Sequence, residues 1–361
     1  MLISFRVLVL ILATWCAITA AFPLKSRAQE ISCKSLRGAT IDFIVPHSVG
    51  GGFDTYARLL APFLEDALDA EIVVTNRSGA GGTIGAGIIH KAAPNGRTIG
   101  ILNAAGLMVK AMAGSKKTPN PATDFTILAR VMRIQQVWAV PESSPFTTIG
   151  DVLAVSEERP VVFGMRDVGS TSFVNAAVVS HLLGMPIDIV AGYKGTQAKS
   201  LAGLRGEVDL NVFTFETVLS QIENGDLKPV LQISGKPIDE HPSLRGVPVL
   251  GGEDGLAARR ALMLERSKDQ AVKDAAVLIG LIGAGRLIVA PPGMDDNLVS
   301  CLEETLFRVL QDPKFQQAAN RSGLSLNIAR GDEALSEIKT VAVSVGRFIP
   351  IFEEAIIKAR E

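Results

Sequence analysis

Short apolar runs alternate with helical patterns along the chain from residue 41 onward. Ile41, Phe43, Ile44 and Val45 form a run too short for a helix and stopped by Pro46, which predicts a buried strand. Tyr56, Leu59, Leu60, Phe63, Leu64 and Leu68 then recur at three- and four-residue spacing, which predicts an amphipathic helix kinked at Pro62. The plan repeats: residues 71–75 read as a strand, a helix opened by Thr83 stops at Pro94-Asn95-Gly96, and 97–102 is the next strand. Further strands are predicted at 161–164, 187–190, 208–213 and 228–233, with helices between them, one reaching Leu183 and another containing Leu201 and Leu204. This alternation predicts an α/β architecture with mostly parallel sheets. The stretch 275–290 is strongly apolar, yet Gly280, Gly283, Gly285 and Arg286 interrupt it, so it reads as a buried helix followed by a strand rather than a membrane span. Residues 255–274, rich in Arg, Lys, Glu and Ala, read as a solvated helix packed on the outside.

At 361 residues the chain exceeds what one core usually serves, so two lobes are expected. Its start has the features of a secretory leader: Arg6, an apolar stretch from Val7 to Phe22, and Ser26-Arg27-Ala28, whose small residues suit cleavage after Ala28. An uncleaved anchor is the alternative, since the run approaches spanning length. Trp15 before Cys16 is too large for a lipoprotein signal. With 36 basic and 37 acidic residues overall, and Arg6, Lys25 and Arg27 lost with the leader, the mature chain is mildly acidic and has no basic run. Nucleic acid is therefore not an expected partner. Cys33 and Cys301 would be the only mature cysteines; a disulfide is open to them in an oxidising compartment, but the preferred reading leaves Cys301 as a buried helical residue and Cys33 in a loose N-terminal segment.

Candidate chemistry gathers in two glycine-rich turns, HSVGGGFD at 47–54 and NRSGAGGTIGAG at 76–87, each leaving a strand and entering a helix. Glycines let such turns aim backbone N–H groups at one place, which makes an anion site from main chain. Asp54 reads as a helix N-cap or first-turn acid. A third candidate is Gly169-Ser170-Thr171-Ser172 after a strand, where hydroxyls and N–H groups crowd a helix start; Ser170 or Thr171 reads either as a cap or as a ligand contact. Tyr193-Lys194-Gly195-Thr196 forms another loop, with Tyr193 and the backbone as wall and Lys194 as a weaker carboxylate partner. Phe213 and Phe215 fit a core better than a ligand wall.

Taken in order, the two glycine turns, A-x-P-x-G-x-T at 92–98, Gly169-Ser170-Thr171-Ser172, Tyr193-Lys194-Gly195, Gly206-Glu207-Val208-Asp209 and Ala290-Pro291-Pro292-Gly293 resemble the periplasmic solute-binding proteins of tripartite tricarboxylate transporters, the Bug or TctC family. The resemblance spans nearly the whole mature chain. It implies a two-lobed, type II periplasmic-binding-protein-like fold that closes like a Venus flytrap on an inter-lobe cleft. On that fold 38–140 with 235–361 form one discontinuous lobe, 141–234 the other, and 1–28 the signal peptide. The family's position for Phe173 often holds His, and an aromatic wall there would favour a more apolar ligand. The 255–274 segment is longer than the family's usual connection.

The expected ligand set is Ser48, Gly50, Gly51, Gly52 and Asp54 from the first turn, Gly79, Ala80, Gly81 and Gly82 from the second, and Ser170, Thr171, Tyr193 and Lys194 from the other lobe. A small organic carboxylate would dock on neutral amides of 48–52 and 79–82, partly through water, with hydroxyls of 170–172 closing over it. Arg77 is assigned to bonding backbone carbonyls, and Gly51→Val is expected to abolish binding. The resemblance implies membrane permease subunits as partners of a periplasmic monomer; a binding protein reporting to a sensor kinase is the alternative. A nucleotide-dependent enzyme is the less favoured reading. Gly79, Gly81 and Gly85 follow a strand, but the acid expected roughly 20 residues on is replaced by Asn103. The histidines at 47, 90, 181 and 241 lack metal spacing, and His47 is read as a cleft wall or loop-packing residue rather than a base. No catalytic residue, cofactor or metal is expected.

Overall fold

The computed structural model describes residues 33–358 apart from 168–169 and 239–240. The leader at 1–28, its cleavage after Ala28, and Gly169 lie outside the described residues.

Eleven strands among the described residues form two sheets. The first contains β1 (Thr40–Val45), β2 (Glu71–Asn76), β3 (Thr98–Asn103), β4 (Thr126–Met132), β10 (Arg286–Ala290) and β11 (Ala329–Arg330) in the order β11-β4-β10-β3-β1-β2. The second contains β5 (Gln136–Pro141), β6 (Val161–Met165), β7 (Ile187–Ala191), β8 (Leu210–Thr214) and β9 (Leu227–Ile233) in the order β7-β6-β8-β5-β9. Strands β1, β2 and β3 run parallel, as do β6, β7 and β8. Strand β10 is antiparallel to β3 and β4, and β5 to β8 and β9. The chain thus builds most of the first sheet, then the whole second sheet, and returns.

The outward crossing lies at 133–135, earlier than the boundary read at 140/141. The run Trp138–Pro141 is itself part of β5, because its partners are β8 and β9. Two buried polar groups fix the strand: Trp138 Nε1 donates to Asn175 Oδ1 at 2.8 Å, and Asn175 Nδ2 donates to Gln136 Oε1 at 2.8 Å. Each is paired, so burial costs them little.

The helix Thr171–Leu183 that carries Asn175 is buried nearly all round, as a helix without a polar face must be. Phe173 on it is wholly buried in the core and is not a cleft wall. The helices Leu256–Met263, Lys268–Gly283 and Ile349–Lys358 pack against it. The 255–274 segment is therefore not one helix but the helix Leu256–Met263 and the start of Lys268–Gly283, with one face buried and Arg259, Leu262 and Met263 exposed. Leu256, Ala257, Ala258 and Ala261 are buried, and Arg260 is buried with Nε donating to the Leu183 carbonyl at 3.1 Å, which satisfies the charge that made the sequence look solvent-facing. One apolar cluster consequently runs from Leu102 and Leu287 of the first sheet to Trp138, Phe163 and Phe173 around the second.

The helix Gly52–Leu68 continues through Pro62 and buries Tyr56, Leu60, Leu64 and Leu68 at helical spacing. It packs with Leu302, Leu306 and Phe315 into a second cluster that also holds Phe43 of β1. Phe213 and Phe215 belong to a third cluster, as core residues. Cys33 and Cys301 are paired, with Cα atoms 5.6 Å apart, which overturns the unpaired reading. Proximity across so long a separation in sequence is a property of the fold alone.

Candidate functional site

The carboxyl ends of β1, β2, β3, β6 and β8 and the amino end of β10 point to the region where the sheets meet, the usual place for a ligand in an α/β sheet. A cavity of about 820 Å³ lies there.

The first glycine turn is largely self-satisfied. Asp54, only 2% exposed, accepts from the Gly50 amide at 2.9 Å, from Asn76 Nδ2 at 2.9 Å and from Arg58 Nε at 3.0 Å. Burial alone would raise its carboxyl, but these hydrogen bonds outweigh it and hold the group below the usual range. The Gly51 amide donates to the Ser48 carbonyl at 3.3 Å, and Gly52 packs against the Arg286 guanidinium. Gly50, Gly51, Gly52 and Asp54 are thus the frame of the turn, and the cavity is lined by Ser48 with Pro46 and His47. Two of the amides expected to dock a carboxylate are thus spent inside the loop, that of Gly50 on the acid four residues on and that of Gly51 on the Ser48 carbonyl. Gly51 has φ −82° and a Cβ there meets only Ser48 O at 3.3 Å. Gly51→Ala is expected to leave calorimetric ligand affinity within about twofold, since the backbone conformation suits alanine and the one tight contact, with the Ser48 carbonyl, is relieved by a small shift of that carbonyl.

The second turn faces the cavity directly. Gly79, Ala80, Gly81 and Gly82 all have positive φ, at 138°, 47°, 59° and 93°, and all line it. The Ala80 carbonyl accepts from Lys110 Nζ at 2.6 Å. Lys110 rises from the otherwise apolar helix Ala104–Met112; burial lowers its ammonium, while Asp167 opposes that shift.

Opposite stands Arg166-Asp167, at the end of β6. Arg166 Nε donates to Asp167 Oδ2 at 2.8 Å, and Nη1 donates to His47 Nδ1 at 3.3 Å. The hydroxyls that follow are occupied elsewhere. Ser170 Oγ caps its helix by accepting from the Phe173 amide at 3.3 Å and donates to the Asp167 carbonyl at 2.9 Å. Thr171 Oγ1 accepts from Asn103 Nδ2 at 2.6 Å, a bond between the two sheets. Ser172 Oγ donates to the Val212 carbonyl at 3.2 Å, and Tyr193 OH to Glu207 Oε2 at 3.0 Å. Of the second-sheet candidates only Lys194, which is exposed, reaches the cavity lining. Ser170→Ala is expected to cost about 1 kcal/mol of unfolding free energy through the lost cap, read by urea denaturation, with little change in affinity.

Of the cavity's charged groups, sequence reasoning named only Lys194. Lys110, Lys117, Arg166 and Lys194 line it with Asp167 as the acid. It is not a cage of neutral amides alone, and Arg77, assigned beforehand to a structural role, is exposed and outside the lining. Two signals were available: a lone lysine in an apolar helix, and an Arg-Asp pair at the carboxyl end of a buried strand. Ile356, near the C-terminus, also lines the cavity, which no local pattern announces.

Among the described residues no group of His, Cys, Asp and Glu could hold a metal ion, and no helix is long and apolar enough to cross a membrane.

Residues 56–259 match the family described as tripartite tricarboxylate transporter family receptor. The chain is similar to protein BugT of Bordetella pertussis, 24% identical over 314 residues that cover 85% of this chain and 87% of that one. Its fold is similar to that of a Rhodopseudomonas palustris protein solved with adipate, at TM-score 0.68 and 20% identity over 87% of this chain and 97% of that one. It is also similar to MatC from Rhodopseudomonas palustris with bound malate, at TM-score 0.66 and 19% identity over 87% of this chain and 99% of that one.

Proposed function

The chain belongs to the tripartite tricarboxylate transporter receptor family of solute-binding proteins, and from that premise we propose that it captures an organic carboxylate between its two sheets and delivers it to membrane permease subunits. The observation that carries the reading is the meeting of Lys110, Lys117, Arg166 and Lys194 around one cavity, against the acid Asp167. A cleft lined by one sign of charge focuses its field and raises the local concentration of an oppositely charged solute. The second glycine turn adds backbone amides at the cavity wall. Adipate and malate, held by two proteins of the same fold, support a carboxylate as the cargo.

Capture couples to closure. The Asn103 to Thr171 bond, Arg166 to His47, and Ser325 Oγ donating to Glu216 Oε1 at 2.8 Å each join a residue in or beside a strand of the first sheet to one that follows a strand of the second. They form only when the sheet ends meet, so a solute that bridges those ends favours the same state. Release by opening suits a carrier, and the site's groups serve binding rather than turnover. The Cys33–Cys301 bridge supports an oxidising compartment, which fits a periplasmic protein.

The test is a thermal-shift screen of the purified protein with malate, adipate, aromatic acids, amino acids, sugars and ATP, followed by calorimetry. A solute that binds only the folded state stabilises it by about 2.7 kcal/mol at 100 times its Kd. Shifts confined to carboxylates are expected. Shifts with ATP or sugars alone would sink the reading, and unchanged carboxylate uptake in a strain lacking the protein would sink delivery.

A further inference from the structure

His47 stands at the end of β1, 5% exposed, with its ring 4.1 Å from that of Phe53 and tilted by 31°. Its Nδ1 accepts from Arg166 Nη1 at 3.3 Å. A neutral imidazole that accepts at one nitrogen carries its proton on the other, so the bond to Arg166 assigns the hydrogen to Nε2. That Nε2 is buried and has no partner among the described residues. The edge of the ring bearing it faces Gly82, where an added Cβ would lie 3.6 Å from Cε1 and 3.8 Å from Nε2, and both His47 and Gly82 line the cavity.

Buried donors are almost always paired, and one left over at a cavity wall points to an acceptor that enters the cavity. Resting on the carboxylate reading above, we propose that His47 is a ligand-binding residue whose Nε2–H donates to a carboxylate oxygen in the cleft, with Arg166 as the positioning residue that fixes its tautomer. Arg166 follows β6 of the second sheet and His47 follows β1 of the first, so the donor is oriented only when the sheet ends meet. Closure thereby completes the site.

The surroundings favour the neutral ring. Burial first, then Arg166, Arg286 and Lys110, push the imidazole down to about 3. The facing groups are Arg166 and Asp167 after β6, Lys110 on the helix Ala104–Met112, and Arg286 on β10. His47 therefore acts as a plain hydrogen-bond donor at any pH from 5 to 8 and does not gain charge as pH falls through its usual range.

The experiment joins a spectroscopic and a binding arm. In protein labelled with 15N-histidine, the His47 ring shifts should report the Nε2–H tautomer unchanged between pH 5 and 8, and R166M should release a fraction of the Nδ1–H form. With malate and adipate as probes, H47F keeps the stacking on Phe53 but loses the donor, and affinity should drop on the order of ten- to a hundredfold with the Tm held or raised. H47Q, which places an amide N–H near the same point, should recover most of that loss. An Nδ1–H tautomer, or an imidazolium above pH 5, would overturn the assignment whether or not either acid binds. If the wild type binds a probe and H47F binds it equally well, His47 is only a packing residue. If neither acid binds the wild type, the carboxylate reading fails, while the tautomer still decides the state of His47.

Discussion

Gly81→Val should lower ligand affinity on the order of 100-fold, about 2.8 kcal/mol at 1.4 kcal/mol per tenfold, while the protein still folds. Gly81 sits at φ +59° in the second turn, and a Cβ there would collide with the Lys110 ammonium and come within 2.8 Å of Asp167 Oδ1. Both atoms end flexible side chains, so the chain accommodates the valine by driving Lys110 off the Ala80 carbonyl and away from the cavity. The left-handed backbone adds strain, of order 1–3 kcal/mol, which should appear as a lowered Tm. Gly87→Ala is the control: nothing lies within 4 Å of its Cβ, and the residue belongs to the helix Thr83–Lys91 that follows the same turn. It should be neutral or slightly stabilising in urea denaturation. Equal affinity of Gly81→Val and wild type in calorimetry would remove the second turn from the binding site.

Loss of the Cys33–Cys301 bridge should give the largest effect on stability. The bond closes a loop with a sequence separation of 268 residues, and removing such a link typically costs 2–4 kcal/mol, chiefly by freeing the unfolded chain. The double variant Cys33→Ala/Cys301→Ala should therefore unfold at lower urea by roughly that amount. Its ligand affinity should be unchanged, because Cys301 lies on the helix Asp296–Gln311, which packs in the cluster around Phe43 and Leu60 rather than on the cavity wall. Wild-type protein treated with a thiol should lose the same stability and gain two hydrogens in mass. No change of mass on reduction would mean that the pair is not bonded.

The balance between local and distant information differs for the fold and for the site. Strands β1, β2 and β3 and the helix Gly52–Leu68 were legible because apolar spacing reports directly which face a segment buries. The second glycine turn was legible for a similar reason: consecutive positive-φ positions demand small residues, so Gly79, Gly81 and Gly82 mark it in sequence. The first turn carried the same signal, but whether its amides face a ligand or the loop itself was not legible, since the bonds of Asp54 to Gly50 and Asn76 are made by side-chain geometry. At Ser170 and Thr171 the sequence left cap and ligand contact open, because a hydroxyl at a helix start serves both with identical marks; the structure shows Ser170 as the cap and Thr171 bonded to Asn103. Arg260 and its segment looked solvent-facing although a carbonyl at the end of the Thr171–Leu183 helix receives the charge.

What the sequence by itself determined was the α/β alternation, the chain's resemblance to a carrier family and the turn at 79–82, all of which rest on contacts within a few residues. The tertiary structure alone decided the pairing of Cys33 with Cys301, the meeting of Lys110 with Arg166 and Asp167, and the unpartnered nitrogen of His47. Those depend on which strand ends two separate sheets bring together, and charge or hydrogen-bond partners chosen across that distance leave no periodicity in the chain.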